Sequence, residues 1–412
     1  MWYWRLLVLV TLVLVGCQQG ADPVAGLPTK MSSPVSSLLP ATQMATPSVT
    51  PLPPSATPTL LPTLTATPIR TLTPTLTATA TATPTPTLTP TPVSLLTAAD
   101  FGDARSPFTG ELAAEPANLQ RRPLAIKISN SPAQWVRPQS GLSQADLVFE
   151  HYAEGATRFT AIFHSQTPPK LGPVRSARLI DLELPIMYDA ALGFSGAHEY
   201  TRLLLEDSEL KPRLIRNFEE GYYRTGEDKP WEHTFYAIPE TLWQTLANKG
   251  QNRPPNPSNV MPFAEQTPPG GETAVSVEVG YWRTVVNWEY DDENGRYLRW
   301  ADGEPHTDAN NGEQISAANV VVLYAPHVFI EDVCVYAKEG VCEVYPMEIQ
   351  LWDEGAAVLF RDGSAYPARW QRWGIHDMLT LVDDAGNPLP FQIGPTWFQI
   401  LPSYRILRSR LT

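Results

Sequence analysis

The chain has 412 residues, a formal net charge of −13, 42 prolines and 3 cysteines. So large a carboxylate surplus repels phosphate backbones and anionic lipid, which excludes nucleic acid and acidic membrane surfaces as general partners. Its few cations therefore carry more information than usual wherever they gather.

The first residues read MWYWRLLVLVTLVLVGCQQG: Arg5, then an apolar run from Leu6 to Val15 interrupted by Thr11. The run falls well short of the ~20 residues that span a bilayer as a helix. It has the length of the apolar region of a secretory signal. Its end, Leu14-Val15-Gly16-Cys17, resembles the lipobox of bacterial lipoproteins. The resemblance implies a signal peptide over 1–16, lipidation of Cys17 and a protein anchored on the extracytoplasmic face of the plasma membrane. An uncleaved anchor and a non-lipidated signal peptide are the alternatives.

Residues 17–99 follow, rich in Thr, Pro, Ala, Ser and Leu, with Asp22, Lys30 and Arg70 as their charges. Frequent proline removes backbone donors and fixes φ, so neither helix nor sheet propagates. Few large apolar residues offset the entropy of ordering. The segment reads as a disordered tether that reaches over ~200 Å at ~3.1 Å per residue when fully extended. Leader and tether together carry +2, so the body from Asp100 onward carries −15.

The body is long enough for two domains. Over 100–255 the pattern is α/β. PLAIKISN (123–130), QADLVFEHYAEG (144–155), RFTAIFHS (158–165) and AALGFSG (190–196) read as strands. HEYTRLLLEDS (198–208) reads as a helix, and so does PETLWQTLANKG (239–250), with Pro239 at its start and Gly250 after its end. Residues 256–272 are rich in Pro, Gly and Asn and read as a linker. Over 273–412 short stretches alternate apolar and polar residues between turns, which predicts a mostly antiparallel β domain. Within it, CVYAKEGVC reads as a hairpin centred near Lys338, which places Cys334 opposite Cys342 for a disulfide; an exported location permits the bond. Two free thiols are the alternative.

Several blocks occur together and in order: RPQSGLSQADLVFEHYAEGATRFTAIFHS, LGPVRSARLIDLELPIMYDA, RYLRWADGEPHTDANNGEQISAANVVVLYAP and GPTWFQILP. They resemble the YerB-like lipoproteins, a family defined by the domain of unknown function DUF3048 and its C-terminal companion domain. The resemblance spans nearly all of 105–410. It implies two domains and an extracytoplasmic lipoprotein, and it implies no established activity.

The candidate site follows from charge. KLGPVRSARL gathers Lys170, Arg175 and Arg178 beside Gly172-Pro173, with Arg158 just upstream. If Gly172-Pro173 opens a helix, Arg175 and Arg178 share a face near its free N–H groups, an arrangement that suits phosphate or carboxylate. The competing reading makes the arginines structural partners of Glu150, Glu154, Asp181 or Glu183. His198, after the turn GFSGA, and His233, in PWEHTFYA, are candidate bases near neutral pH. PWEHTFYA resembles the family's Pro-His-Asn-Leu-Tyr block at His233 and Tyr236, with Glu232, Thr234 and Phe235 in place of its Pro, Asn and Leu. The same two histidines can equally be structural. No metal or cofactor is expected, since His-Glu-x-x-His and close Cys/His spacings are absent. The seven tryptophans after residue 273 read as core, and His306 and Asp308 as loop residues. The expected function is a membrane-tethered protein that binds an anionic small molecule or cell-wall polymer. A wall-acting hydrolase or transferase with a histidine base and a surface interaction scaffold are the alternatives.

Overall fold

All seven residues of strand Leu147–Ala153 (LVFEHYA) are buried. A strand reads this way when both faces of its sheet are covered. A computed structural model describes residues 93–403. The signal peptide, Cys17 and the tether up to residue 92 lie outside the described residues.

Leu147–Ala153 belongs to an eleven-stranded sheet. On one side it pairs antiparallel with Ala156–Phe163, which pairs antiparallel with Leu124–Ser129. Ala191–Gly193 and Leu214–Ile215 extend this side in parallel. On the other side lies Thr396–Pro402, near the end of the described chain, parallel to both Leu147–Ala153 and Asn319–Ala325. Asp353–Arg361, Ser364–Arg372 and Thr380–Val382 complete that side as an antiparallel run. The fold class read from the sequence holds: an α/β N-terminal half, then a predominantly antiparallel β half. Pairing of Thr396–Pro402 makes the two halves share one sheet, and 93–403 fall within one compact unit.

Both faces of this sheet are covered. A smaller sheet contains Ser276–Gly280, Val285–Asp291 and Arg296–Ala301, whose burial alternates along each strand as a one-sided sheet requires. Its Val277, Trp288 and Tyr297 join Val148, Phe159 and Trp397 in one buried cluster. Leu242, Trp243 and Leu246 of helix Pro239–Asn248 belong to the same cluster. On the opposite face Phe149 and Phe398 stack at 4.6 Å and pack with Ile180, Leu184, Met187 and Leu205. Each such large side chain contributes roughly 1.5–3 kcal/mol on burial. Within 256–272, Met261, Phe263 and Ala264 are buried, and Ala264 N–H bonds Phe391 O at 3.0 Å.

Three local readings change. Residues 172–177 are extended and bridge Ser140, Ile128 and Ala197 rather than opening a helix; Arg178 precedes a short 3-10 turn, Leu179–Leu182. The segment's backbone groups are taken by neighbouring chain, so no row of free N–H groups faces outward there. The tryptophans divide: Trp288, Trp370 and Trp397 are core, whereas Trp282, Trp352 and Trp373 are exposed. His306 and Asp308 do follow a strand in a connecting segment, but both are buried there. Cys334 and Cys342 form a disulfide with a Cα–Cα distance of 5.7 Å. The hairpin turns at Glu339-Gly340, both at positive φ, and Cys342 pairs with Ala337.

Candidate functional site

The turn between Leu147–Ala153 and Ala156–Phe163 is Glu154-Gly155, with φ of 44° and 78°. Two left-handed residues in a two-residue hairpin turn match the twist of the strands. The turn sets Glu154 at the tip, four residues before Arg158. Arg158 Nη2 reaches the Glu154 carboxylate at 3.2 Å, and Arg178 grips it with Nε and Nη2. Arg158 Nη1 also donates to Ser176 O at 2.7 Å, and Arg178 Nη1 to Ala177 O at 2.8 Å. Burial, and then the Arg178 charge, push the Arg158 guanidinium down to about 9. Burial works against the charged form of Glu154, but the two arginines win and hold it below its ordinary range. Arg158 and Arg178 are thus brought together and spent on one carboxylate. Of the other proposed carboxylate partners, Glu150 takes Arg299 at 2.7 Å, Asp181 takes Lys127 at 2.8 Å and Glu183 takes Arg372 at 2.5 Å.

Arg175 differs. Its backbone is held on both sides: its N–H donates to Lys127 O at 2.8 Å, and its carbonyl accepts from Ser195 N at 3.0 Å. Its half-buried guanidinium makes no hydrogen bond or ion pair with any described residue, although Glu232 acts on it electrostatically. Beside it, Val174 N–H donates to Phe235 O at 2.7 Å and Ala177 N–H to Gly196 O at 2.8 Å. These bonds draw 172–178, 195–197 and 231–235 into one corner. His233 lies there, 2% exposed, with Nδ1 unpartnered and Nε2 4.0 Å from Glu232. Burial and then the Arg175 charge lower its pKa, so the ring is neutral at neutral pH. His198 caps helix Glu199–Asp207, its Nδ1 accepting from Tyr200 N at 3.3 Å. Neither histidine has an aspartate at hydrogen-bond distance among the described residues.

A second feature lies where three parallel strands end. Leu147–Ala153, Thr396–Pro402 and Asn319–Ala325 run the same way. Off their C-terminal ends opens a cleft of about 690 Å³. Loops that follow parallel strands converge in this manner, and ligands commonly occupy the space they enclose. Glu154, Arg178, Trp282, Arg283, Phe329 and Tyr345 are among its walls.

Sequence and structure comparisons agree on where these elements belong. Residues 108–252 match the N-terminal domain, and 277–398 the C-terminal domain, of the protein of unknown function DUF3048. This chain belongs to the DUF3048 family. It is 30% identical over 304 residues to a Bacillus subtilis (strain 168) protein named "Putative lipoprotein YerB", covering 72% of this chain and 86% of that one. The crystal structure of YerB from Bacillus subtilis superposes with a TM-score of 0.61 at 30% identity, covering 72% of this chain and 96% of that chain.

The DUF3048 body also holds two polar networks that residue patterns did not flag. On one face of Leu147–Ala153, Lys127 Nζ donates to His151 Nε2 at 2.7 Å, to Thr160 Oγ1 at 2.9 Å and to Asp181 Oδ1 at 2.9 Å, all of them fully buried. His151 Nδ1 meets Tyr152 O at 3.0 Å, which sets the neutral tautomer. Burial, and then Lys127, hold its pKa well below the usual value. On the other face Glu150 accepts from Arg299, from Asn130 at 3.1 Å and from Thr157 at 2.8 Å. Arg299 continues to His306 Nδ1, and His306 Nε2 to Gln139 Oε1 at 2.6 Å. Asp308 accepts from Gly141 N at 2.9 Å and Ser143 N at 2.8 Å, tying the DGEPHTD segment to RPQSG. Adjacent residues on a strand point to opposite faces, so Glu150 and His151 serve different networks. Among the described residues no group of three or more His, Cys, Asp or Glu is placed to hold a metal, and no helix is long and apolar enough to cross a membrane.

Proposed function

We propose that this DUF3048 protein is a lipoprotein tethered to the extracytoplasmic face of the membrane, and that it binds an anionic envelope ligand at the Arg175 corner. Support for the anchor comes from the lipobox at Cys17 and from the name of the Bacillus subtilis relative. Support for the ligand rests on one observation. Of the three arginines, Arg158 and Arg178 both bond to Glu154, whereas the half-buried Arg175 guanidinium has no bonded partner among the described residues and is close enough for its charge to act on His233, whose Nδ1 is unpartnered. An anion that accepts from the guanidinium would satisfy it. In its Nδ1–H tautomer, neutral His233 would add a second donor without adding charge.

The test uses the full-length chain in detergent, titrated with inorganic pyrophosphate and with poly(glycerol phosphate). Arg175→Ala is expected to weaken binding about tenfold, or ~1.4 kcal/mol, while Arg178→Ala stays within about twofold. Equal affinity of Arg175→Ala and wild type, or no binding of either probe, rejects the anion reading. For the anchor, Cys17→Ala is expected to abolish palmitate labelling and to release the protein from membranes. Continued labelling rejects it.

A further inference from the structure

We infer that the cleft at the ends of the parallel strands is a carbohydrate site, binding a glycan chain between the aromatic faces of Trp282, Phe329 and Tyr345 and the charged rim formed by Arg283, Glu331 and Glu343.

This site lies apart from the Arg175 corner and goes beyond that reading. Four segments supply most of its walls, namely the hairpin tip at 152–155, the turn at 282–283, residues 327–331, and 343–347 of the arm that carries the disulfide, and Arg178 and Pro402 complete them. Trp282 is 69% exposed and Phe329 57% exposed. Leaving such rings in water forgoes a large apolar contribution, so a cluster of them at one cleft marks a surface that is covered at times. Trp282 is also seated. A Cβ built on Gly155 would lie 3.8 Å from its ring, and Gly155 has φ of +78°, where a side chain is strained. The indole thus lies within van der Waals reach of the hairpin tip, and the left-handed turn itself is what calls for glycine there. Tyr152 stands edge-on to His327 at 5.9 Å and closes the inner end.

The charges choose among occupants. Glu154 and Arg178 neutralise each other. Glu331, Glu343 and Arg283 make no hydrogen bond or ion pair with any described residue. Two carboxylates and one guanidinium give a rim of nearly balanced charge that both accepts and donates. An anionic polymer meets two unpaired carboxylates there, and a basic peptide meets a guanidinium. A pyranose suits both features: its apolar C–H face lies on an aromatic ring, and its hydroxyls donate to carboxylates and accept from Arg283. A mostly apolar cleft with a few convergent polar groups is the general form of such sites.

The experiment is calorimetric titration of the full-length chain with N-acetylchitotetraose and with cellotetraose at millimolar concentration. At least one sugar is expected to bind. Trp282→Ala is expected to weaken it about tenfold, and Glu343→Gln by severalfold. Trp373→Ala, which removes an exposed tryptophan outside the cleft lining, should leave affinity unchanged, as should Arg175→Ala. Trp282 and Glu343 are both exposed, so their variants are expected to melt with wild type. If one does not, the other carries the test. No binding of either sugar overturns the inference, and so does undiminished binding by Trp282→Ala. Binding of tetralysine in place of the sugars would assign the cleft to a basic peptide instead. Because Arg175 is read with anions and Trp282 with sugars, failure at one site leaves the other standing.

Discussion

The interior of the sheet and the Arg175 corner hold the same residue types in opposite states. Inside, Lys127, Asp181 and His151 on one face, and Glu150, Arg299 and His306 on the other, bond to one another and to neighbouring polar groups. At the corner, Arg175 and His233 are held by their backbones while their side chains keep open valences. Charge clustering alone does not separate the two, since both gather cations and histidines. Satisfaction does. A buried charge with its partners in place is committed to the fold, and an uncommitted one is available to a ligand.

The comparison breaks first at Glu150. Glu150→Ala would leave Arg299 fully buried without its counter-charge, beside Trp288 and Trp397 and with His306 neutral. Removing one member of a buried pair costs about 3–5 kcal/mol. Denaturant unfolding of the full chain should show that loss as a lower midpoint. A loss below about 1 kcal/mol would mean that the network contributes little and that satisfaction is a poor guide to commitment.

Much of the fold was legible because its signals are local. Leu124–Ser129 and Leu147–Ala153 are short apolar runs, and Ser276–Gly280 alternates, so residue order alone exposes them. Helix Pro239–Asn248 carries its own start and stop. The placement of Thr396–Pro402 was not legible. Its pairing with strands about 75 and 250 residues earlier depends on closing long loops, which no window of sequence reports. The site divides in the same way. The cationic cluster at 175–178 was visible as composition. Which arginine is free was hidden, because Glu154 is delivered by a hairpin turn and captures Arg178 from 24 residues away. Glu154-Gly155 between two apolar runs was the available signal for that turn. The cleft was hidden more deeply, since its walls are drawn from positions spread over 152–402 and each segment alone reads as an ordinary turn or strand end.

Lys127 offers a pH-dependent version of the contrast. Burial, opposed by Asp181, lowers its pKa from 10.5 to about 8. Below pH 8 both the folded and the unfolded chain carry this proton. Between about 8 and 10.5 the unfolded chain still holds a proton that the folded chain has released, so this group makes stability rise with pH. The stability of wild type minus that of Lys127→Met should rise by on the order of 2 kcal/mol from pH 8 to pH 10. Paired unfolding curves at the two pH values measure it. A fall in that quantity would show the folded amine to be the stronger base, bound too firmly by Asp181 for burial to matter.

The smallest expected effect bears most directly on function. If Arg175 is uncommitted, Arg175→Ala removes no hydrogen bond and no ion pair, and it relieves a positive charge that Arg178 and His233 both sense. Because the attraction of Glu232 and Glu154 opposes that repulsion, stability should change by no more than about 0.5 kcal/mol in either direction. Arg178→Ala, which strips Glu154 of its two-pronged partner at a partly exposed hairpin tip, should cost about 1–2 kcal/mol. Thermal melts of the two variants in one buffer separate them. A melt left unchanged by Arg175→Ala would support the proposal that this side chain serves a ligand rather than the fold. Should Arg175→Ala prove as destabilising as Arg178→Ala, Arg175 belongs with the interior networks and the corner loses its claim as a site.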